Sequence, residues 1–233
     1  MSLQAEQLRC FYGPVQVLHG VSVEVPSGQV VAVLGRNGMG KSTLVHTVMG
    51  MLRPRSGRVL LDGKAIHGQP PETVSRRGVA LMPQGHRVFP SLSVAENIAV
   101  ARRRARSATS WSVDEVLDYL PLLRKRWKQR SATLSGGEQQ MLTLARALVA
   151  NADYVLLDEP AEGLAPSMVE QVGEIIQELR GRGTGVLLVE QRFEFATRLA
   201  DTVYVMSRGV EVFVGSPAQL RDNQSVTTRY LGM

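Results

Sequence analysis

The segment from Gly35 to Thr43, GRNGMGKST, carries the residue types of a phosphate-binding loop. It matches the pattern G-x-x-x-x-G-K-[ST], in which glycines let successive backbone N–H groups turn toward bound phosphates. Lys41 would bring a positive charge to the β- and γ-phosphates, and the Ser42 hydroxyl can bind Mg²⁺. By itself such a loop does not distinguish between kinases, GTPases, helicases and motor proteins.

The surroundings of this loop support the assignment. The apolar run Val30 to Leu34 comes directly before it, and an apolar helix is predicted after it, from Thr43 to Met51. A strand, a glycine loop and a helix N-terminus are the context that the pattern requires, so a chance glycine turn is the weaker alternative. The predicted nucleotide-binding residues here are Gly35, Arg36, Asn37, Gly38, Met39, Gly40, Lys41, Ser42 and Thr43.

Two adjacent acids follow a second apolar run. Tyr154 to Leu157 predicts a short buried strand, and Asp158 and Glu159 come directly after it. At the end of such a strand Asp158 can help to hold Mg²⁺, while Glu159 can orient or deprotonate the attacking water. The alternative is an acidic pair that only caps the next helix. Beside the phosphate loop, the pair favours nucleotide hydrolysis.

A third segment, LSGGEQQ from Leu134 to Gln140, precedes a helix predicted from Glu138 to Ala150. A serine and two glycines at a helix start can present a hydroxyl and backbone N–H groups to an anion. The alternative is an ordinary serine N-cap with a flexible approach. We predict a second anion-binding group formed by Ser135, Gly136, Gly137 and Glu138.

Strands and helices alternate around these motifs. Val21 to Val25 alternates like a half-buried antiparallel strand, whereas Val30 to Leu34 and Gly185 to Val189 are continuous apolar runs. Continuous β-branched runs are typical of strands buried on both faces of a parallel sheet. Apolar residues at helical spacing from Ser167 to Arg180 predict a crossover helix, which completes a βαβ unit.

The region from about residue 85 to 151 lacks such runs and is helix-like. Its candidate helices are Val94 to Arg104, Val113 to Leu123 and Glu138 to Ala150. We therefore predict one domain, residues 1–233, in which 1–84 and 152–233 form the nucleotide-binding core and 85–151 an inserted helical subdomain. Near the end, Thr202 to Met206 and Val210 to Val214 predict a hairpin.

The composition restricts the class of protein. The chain has 233 residues, 44% of them hydrophobic, which suffices for a sizeable core. Cys10 is the sole cysteine, so an internal disulfide and a cysteine metal cluster are excluded, and we read it as a small buried strand residue. There is neither an apolar run of about 18 residues nor a signal peptide, so we expect a soluble, intracellular chain. The histidines, which lack metal-ligand spacing and are predicted non-ligands, are His19, His46, His67 and His86.

The net charge is +6, and part of it lies in two basic runs, from Arg102 to Arg106 and from Arg124 to Arg130. A solvated helix face is the first interpretation of such runs, and a surface facing a membrane or a partner is the second. Nucleic-acid binding is disfavoured because Trp127 alone interleaves the charges, which is thin support for base stacking. We predict no nucleic-acid partner.

Together the three motifs resemble those of the ATP-binding cassette family, in which the segment around Ser135 matches the LSGGQ-type motif. The resemblance covers nearly the whole chain, with the motifs in the family's order and spacing. It implies an α/β fold with a P-loop NTPase (RecA-like) core, an N-terminal antiparallel β subdomain and an inserted α-helical subdomain. It also implies ATP and Mg²⁺ as cofactors, and two cassettes that sandwich two ATP molecules, each Ser135 segment closing over the partner's γ-phosphate.

The resemblance assigns further roles. Tyr12 is similar to the aromatic residue that stacks on adenine, although a partly buried strand aromatic is the alternative. Gln84 falls where the family's glutamine contacts Mg²⁺ or water and hinges the helical lobe; a plain polar loop residue is the alternative. The implied catalytic residues are Glu159, Gln191 and Gln84, and the implied metal ligands are Ser42, Gln84 and Asp158.

Two positions depart from the family's pattern. Gln191 stands where most cassettes have a histidine that contacts the γ-phosphate. An amide can hydrogen-bond a phosphate oxygen but carries neither a proton nor a positive charge, so we expect positioning and slower hydrolysis. Ala165 stands where many cassettes have an aspartate, which puts communication between the two sites through that residue in doubt.

Within the family, several phrases together resemble the second ATPase subunit of importers for branched-chain amino acids and for related small amides such as urea. These phrases are Tyr12-Gly13, Gly85 to Phe89, Gly136 to Met141, Gly163 to Pro166, Val189 to Gln191 and Tyr230 to Gly232. The resemblance implies a peripheral ATPase subunit on the cytoplasmic face of the inner (plasma) membrane. Its partners would be permease subunits, a second ATPase subunit and, indirectly, a solute-binding protein; a heteromer is expected and a homodimer stays open.

Two other functions stay open at this point. One is a cassette ATPase that acts off the membrane, in repair, translation or cluster assembly. The compact single cassette, without coiled-coil insertions or added arms, disfavours it. The other is a regulatory module that binds ATP with little turnover, which the glutamine at position 191 keeps open.

Overall fold

The computed structural model describes residues 1–85, 87–103 and 110–232, and in them strands form two sheets flanked by helices. The strands are β1 (Ser2–Tyr12), β2 (Val15–Pro26), β3 (Val30–Leu34), β4 (Ser56–Leu61), β5 (Lys64–Ala65), β6 (Val79–Met82), β7 (Tyr154–Asp158), β8 (Gly185–Glu190), β9 (Thr202–Ser207) and β10 (Val210–Gly215). The α-helices are α1 (Lys41–Val48), α2 (Pro71–Arg76), α3 (Val94–Ala101), α4 (Val113–Tyr119), α5 (Pro121–Lys125), α6 (Gly136–Leu148), α7 (Pro166–Gly181), α8 (Phe193–Leu199), α9 (Pro217–Asp222) and α10 (Gln224–Val226).

The larger sheet has the strand order β10-β9-β3-β8-β7-β6. Its neighbours from β9 to β6 run parallel, and β10 pairs antiparallel with β9. The carboxyl ends of β3, β7 and β8 therefore meet at one edge, which is where open α/β sheets bind their ligands. The loops that carry the predicted nucleotide residues start from these ends.

The core lies on both faces of this sheet. In β3, Val30, Ala32 and Leu34 pack into one apolar cluster, and Val31 and Val33 pack into the other. Successive strand side chains point to opposite faces, so a strand covered on both sides must be apolar at every position. This is the physical reason for the uninterrupted apolar run before the phosphate loop.

The smaller sheet, in the order β2-β1-β4-β5, is antiparallel throughout. It covers the cluster that contains Val31 and Val33, together with α1. The predicted strand at Val21–Val25 lies inside β2, and Cys10 is a fully buried residue of β1. The predicted hairpin is the pair β9 and β10.

Helical segments occupy the described chain between β6 and β7, as the fold prediction requires. The fold class is confirmed, while the division at residues 84 and 152 stays a prediction. The predicted helix Val113 to Leu123 was wrong as one unit, because it is broken at Leu120 into α4 and α5. Pro121 has no N–H for the helical ladder and its ring clashes with the preceding turn, so it can only start a new helix.

Other helix bounds differ by a few residues. The helix predicted to Arg104 ends at Ala101, and Arg104 itself lies outside the described residues. Arg103 donates its backbone N–H to Val149 O at 3.0 Å, which holds this stretch against the end of α6 in place of a further helical turn. Helix α1 begins at Lys41, two residues earlier than predicted, and ends at Val48, three residues earlier than predicted. The strands β1, β4, β5 and β6 and the helices α2, α8, α9 and α10 were not predicted.

Candidate active site

The phosphate loop connects β3 to α1 and is shaped by glycines in left-handed conformations. Gly38 and Gly40 have φ of +76° and +98°, and the N-cap position of α1 is Gly40, which offers no side chain to the helix N–H groups. A Cβ at Gly40 would lie 2.9 Å from Leu18 Cδ2, so a larger residue would also have to displace this buried side chain. The loop therefore leaves the first N–H groups of α1 available to an external anion.

Lys41 is buried at the base of this loop, with 4% of its surface exposed. Its ammonium donates to the backbone oxygens of Gly35 at 2.8 Å and Arg36 at 3.2 Å. The Nζ atom also lies 3.3 Å from Glu159 Oε1. The two residues that sequence reasoning placed on the γ-phosphate and on the attacking water thus form a direct ion pair across the loop.

A cavity of about 230 Å³ opens beside the loop. It is lined by Tyr12, Val17, Asn37, Gly38, Met39, Gly40, Lys41, Ser42, Thr43, Gln84 and Glu159. Among the predicted residues, the structure brings together Tyr12, most of the phosphate loop, Gln84 and Glu159. Tyr12, at the end of β1, has 49% of its surface exposed at this opening, so its ring is accessible to a flat ligand. Val17 was not predicted.

Glu159 is held by three side chains. In addition to Lys41, Gln84 Nε2 donates to its Oε2 at 2.9 Å and Gln191 Nε2 donates to its Oε1 at 2.7 Å. Its backbone has φ +51°, an uncommon conformation for a residue with a side chain, and its N–H donates to Val189 O at 2.9 Å. The carboxylate is thereby fixed at the mouth of the cavity, with 4% of the residue exposed.

Gln191 bridges the phosphate loop and the acidic loop. Its Nε2 lies 2.6 Å from Asn37 Oδ1 as well as 2.7 Å from Glu159 Oε1. Gln191 also lines a neighbouring cavity of about 560 Å³ with Gly35, Arg36, Asn37, Met39 and Leu231. The structure thus places the Gln191 amide between Asn37 and Glu159, and its contact with the γ-phosphate stays a prediction.

Asp158 and Ser42 have the chemistry of a Mg²⁺ site. Asp158 is 1% exposed, and its Oδ1 has no hydrogen-bond partner within the described part of the chain. Burial raises the pKa of Asp158, the hydrogen bond from Ser42 opposes this, and the neighbouring Glu159 carboxylate adds to it. A buried, unpartnered carboxylate oxygen beside a serine hydroxyl is a donor set that a divalent cation would satisfy. The residues present therefore fit the predicted metal.

The segment from Ser135 to Glu138 does not line the cavity of its own chain. Ser135 is the N-cap of α6, its Oγ accepts from Glu138 N at 3.3 Å, and Glu138 Oε2 accepts from Ser135 N at 2.8 Å. The same pairing occurs at Ser93 with Glu96 and at Ser112 with Glu115. Within one chain, Ser135 thus forms an ordinary capping box. The predicted anion site would need a second chain.

Glu190 is a buried carboxylate that sequence reasoning did not assign to the site. It ends β8 with 2% of its surface exposed, and its oxygens accept from the backbone N–H groups of Ala161, Gln191 and Arg192. Burial raises its pKa, and these three hydrogen bonds oppose the rise. A charged residue that directly extends the apolar run Val186–Val189 was the signal that could have identified it.

The basic runs are partly paired. Arg124 contacts Asp114 and Asp118, and Arg126 lies 3.3 Å from Glu138 Oε1. In the first run, Arg103 donates to Ser75 O at 2.9 Å. Arg104, Arg106 and His86 lie outside the described residues. Within residues 1–85, 87–103 and 110–232, no three or more His, Cys, Asp or Glu are grouped to hold a metal.

The fold and this site define a P-loop nucleotide hydrolase of the cassette type. Residues 18–162 match the family model described as "ABC transporter". The chain is similar over 96% of its length to the crystal structure of a nucleotide-free ATP-binding cassette from an ABC transporter, with 94% of that chain covered, 25% identity and a TM-score of 0.83.

Three relatives align along almost all of the chain. It is 42% identical to the high-affinity branched-chain amino acid transport ATP-binding protein BraG of Pseudomonas aeruginosa, over 99% of both chains. It is 34% identical to the probable branched-chain amino acid transport ATP-binding protein LivF of Archaeoglobus fulgidus, again over 99% of both. It is 33% identical to the lipopolysaccharide export system ATP-binding protein LptB of Haemophilus influenzae, over 99% of this chain and 97% of that one.

The chain therefore belongs to the ABC transporter family, and it is an ATPase subunit of that family. The family resemblance inferred from the motifs is confirmed. Among the residues that the structure describes, none of the helices combines the length and apolar character that a membrane span requires.

Proposed function

We propose that this chain is an ATP-hydrolysing subunit of an importer for branched-chain amino acids or related small amides. The observation that carries the proposal is the placement of Glu159 at the mouth of the phosphate-loop cavity, held by Lys41, Gln84 and Gln191. The importer class is supported by the greater identity to BraG, 42%, than to the export protein LptB, 33%.

In this proposal the loop from Gly35 to Thr43 binds the phosphates of ATP through its N–H groups and through Lys41. Tyr12 would stack on the adenine, and Ser42 and Asp158 would hold Mg²⁺ with Gln84 nearby, which would supply positive charge beside the phosphates. When the γ-phosphate takes the ammonium of Lys41, Glu159 loses that partner and can accept a proton from water.

Gln191 then has a positioning role. Its amide can donate to a γ-phosphate oxygen without changing its own charge, so the geometry is retained and one electrostatic contribution is missing. The Ser135 segment acts on the ATP of a second cassette, which we expect to be a related chain rather than a second copy. If the site did not activate water, the chain would instead be an ATP-binding module with low turnover.

The subunit that crosses the membrane would dock in a groove between the core and the helical region. This groove encloses about 300 Å³ and is lined by Met51, Ser75, Ala80, Leu81, Pro83, Arg87, Val100, Ala101, Arg103, Thr143, Arg146, Ala147 and Ala150. Met51 and Val100 are 53% and 63% exposed there, so the rim of the groove presents apolar side chains that a partner could bury. A permease docked there places this chain at the cytoplasmic face of the membrane, with a solute-binding protein on the other side.

The catalytic part is tested in the complex with its membrane subunits and second cassette, reconstituted in liposomes. Glu159→Gln should lower the ATP turnover by about 100-fold or more, because a general base contributes about 10²–10⁴ to such a step. ATP binding should remain. The matched control is Glu162→Gln, since Glu162 also contacts Gln84 but is exposed. An unchanged turnover for Glu159→Gln would disprove the assigned role.

The solute and the docking groove are tested with the same preparation. Stimulation of turnover by a leucine-loaded binding protein supports the importer for branched-chain amino acids, whereas stimulation by urea alone moves the assignment to small amides. Val100→Asp should weaken assembly with the membrane subunits while leaving ATP binding intact. Val214→Asp, at a 50% exposed position on β10, is the control. Equal assembly of the two variants would exclude this groove.

A further inference from the structure

Two loops of the site are tied together by one buried side chain. Glu190 Oε1 accepts from Ala161 N at 3.2 Å, and Ala161 lies two residues after Glu159. Glu190 Oε2 accepts from Gln191 N at 3.1 Å and from Arg192 N at 3.4 Å. One carboxylate thus joins the loop after β7 to the loop after β8.

The burial of this carboxylate indicates that the link matters. Glu190 is 2% exposed, and an ionised side chain in such a position is costly unless several hydrogen bonds satisfy it. Three backbone N–H groups do so, and a carboxylate suits this task because both of its oxygens accept. An amide of the same size has one accepting oxygen and would point its NH₂ group at the N–H donors of one loop.

The two loops must be in register for the site to work. Glu159 and Gln191 contact each other at 2.7 Å, and each comes from one of the loops that Glu190 joins. Glu159 N also donates to Val189 O, the residue directly before Glu190. A shift of one loop would separate the group that activates water from the group that positions the phosphate, and a displacement of about 1 Å can lower a rate about 100-fold.

We propose that Glu190 is a positioning residue for ATP hydrolysis, which holds the Glu159 loop and the Gln191 loop in register through its two oxygens. It does not touch nucleotide. The inference rests on the proposed roles of Glu159 and Gln191, and it assigns a function to a residue to which the sequence analysis gave no role.

The test compares Glu190→Gln, Glu190→Asp and the surface control Glu194→Gln in the full transporter complex. The first variant keeps the side-chain size and loses one accepting oxygen; the second keeps the charge but shortens the reach by one methylene. Both should lower kcat by about 10- to 100-fold and leave the KM for ATP within about threefold, since the phosphate loop is untouched. Glu194→Gln should match the unaltered protein.

Amide hydrogen exchange and a double variant separate positioning from general stability. In Glu190→Gln, the amide of Ala161 or of Gln191 should exchange faster, while amides in β1 and β2 keep their protection. The double variant Glu190→Gln/Gln191→Ala should lose less than the product of the two single effects, because both act through one contact. If Glu190→Gln misfolds, the same measurements are made on Glu190→Asp.

Three outcomes would overturn the inference: kcat unchanged in both Glu190 variants, a KM that rises in proportion to the loss of kcat, or strictly multiplicative effects in the double variant. Failure of the proposed site itself looks different. In that case Glu159→Gln retains its turnover whatever the Glu190 variants do.

Discussion

The N-termini of α1 and α6 were both predicted to bind phosphate, yet the structure treats them differently. At α1 the N-cap is Gly40, no side chain caps the helix, and the first turn contains no acid. At α6 the N-cap is Ser135, whose Oγ accepts a helix N–H, and the first turn contains Glu138. One end is open to an anion in the single chain, and at the other end the Ser135 side chain already accepts one helix N–H, that of Glu138.

The contrast between the two helix ends indicates how nucleotide binding and hydrolysis can be separated. The α1 end can accept phosphate without breaking any hydrogen bond of a capping box. At the α6 end the N–H of Glu138 already donates to Ser135 Oγ, whose O–H can still donate to a phosphate, and Glu138 brings a negative charge to the same place. A single chain should therefore bind ATP, whereas the second contact should form only when another cassette supplies its phosphate.

The largest effect is expected for Lys41→Ala. It removes the buried ammonium at the open end, and a hydrogen bond to a charged group is worth about 1.5–3 kcal/mol, so ATP affinity should fall about 100-fold. Titration of Mg-ATP by calorimetry measures this. Lys64→Ala, at an exposed position in β5, is the control. Tight binding by Lys41→Ala would remove the basis for calling this end the nucleotide site.

Ser135→Ala should separate the two ends. The single chain should bind ATP as before, whereas turnover in the assembled complex should drop about tenfold or more, because one hydrogen bond to the partner's phosphate is lost. The cap itself is worth about 1 kcal/mol. Ser112→Ala removes an equivalent capping box from α4 and should cost similar stability with normal turnover. Equal turnover in the two variants would mean that Ser135 is only a cap.

Gly40→Ala tests why the α1 end is open. The φ of +98° and the 2.9 Å approach to Leu18 Cδ2 should destabilise the chain by about 1–2 kcal/mol and weaken ATP binding. Thermal unfolding with and without Mg-ATP measures both. Gly181→Ala, at a helical glycine with no atom within 4 Å of the added Cβ, is the control and should not lower stability. A stable, tightly binding Gly40→Ala would show that the loop relaxes.

Glu138→Gln should have the smallest effect. The backbone N–H of Ser135 lowers the pKa of Glu138, with Ser135 Oγ and Arg126 adding to this against the effect of burial. A lowered folded pKa means that the stabilisation is present above the ordinary glutamate range and is lost as the pH falls through the lowered value. Gln219 already fills this role at α9, so the glutamine should keep the cap and lose only the pH-dependent part.

Unfolding curves at pH 7 and pH 4 measure this change. The difference in stability between the unaltered chain and Glu138→Gln should shrink at the lower pH. In the complex, turnover should stay equal or rise slightly, because a carboxylate near the partner's phosphate is gone. A stability difference that grows on acidification would contradict the assignment.

The local sequence pattern was enough to predict the phosphate loop at the N-terminus of α1. The glycines, Lys41 and Ser42 act within one loop, and the continuous apolar run before them reports burial on both faces of a sheet. Two helix predictions failed for different reasons: one overlooked a local rule, and the other could not include a contact with a residue distant in sequence. Pro121 breaks a helix by its own covalent structure, whereas α3 stops at Ala101, where Arg103 pairs with Val149 at the end of another helix.

The phosphate loop, the acidic pair and the alternation of strands and helices can be recognised from the amino-acid sequence alone, and they suffice to recognise the family. Three features of the site depend on the folded chain: Lys41 pairs with Glu159, Gln191 contacts both Asn37 and Glu159, and Glu190 joins two loops. These contacts join residues from 29 to 154 positions apart. No periodicity or motif predicts contacts between residues so far apart in the sequence. The order of strands in the sheet produces these contacts, because it brings three strand ends to one edge.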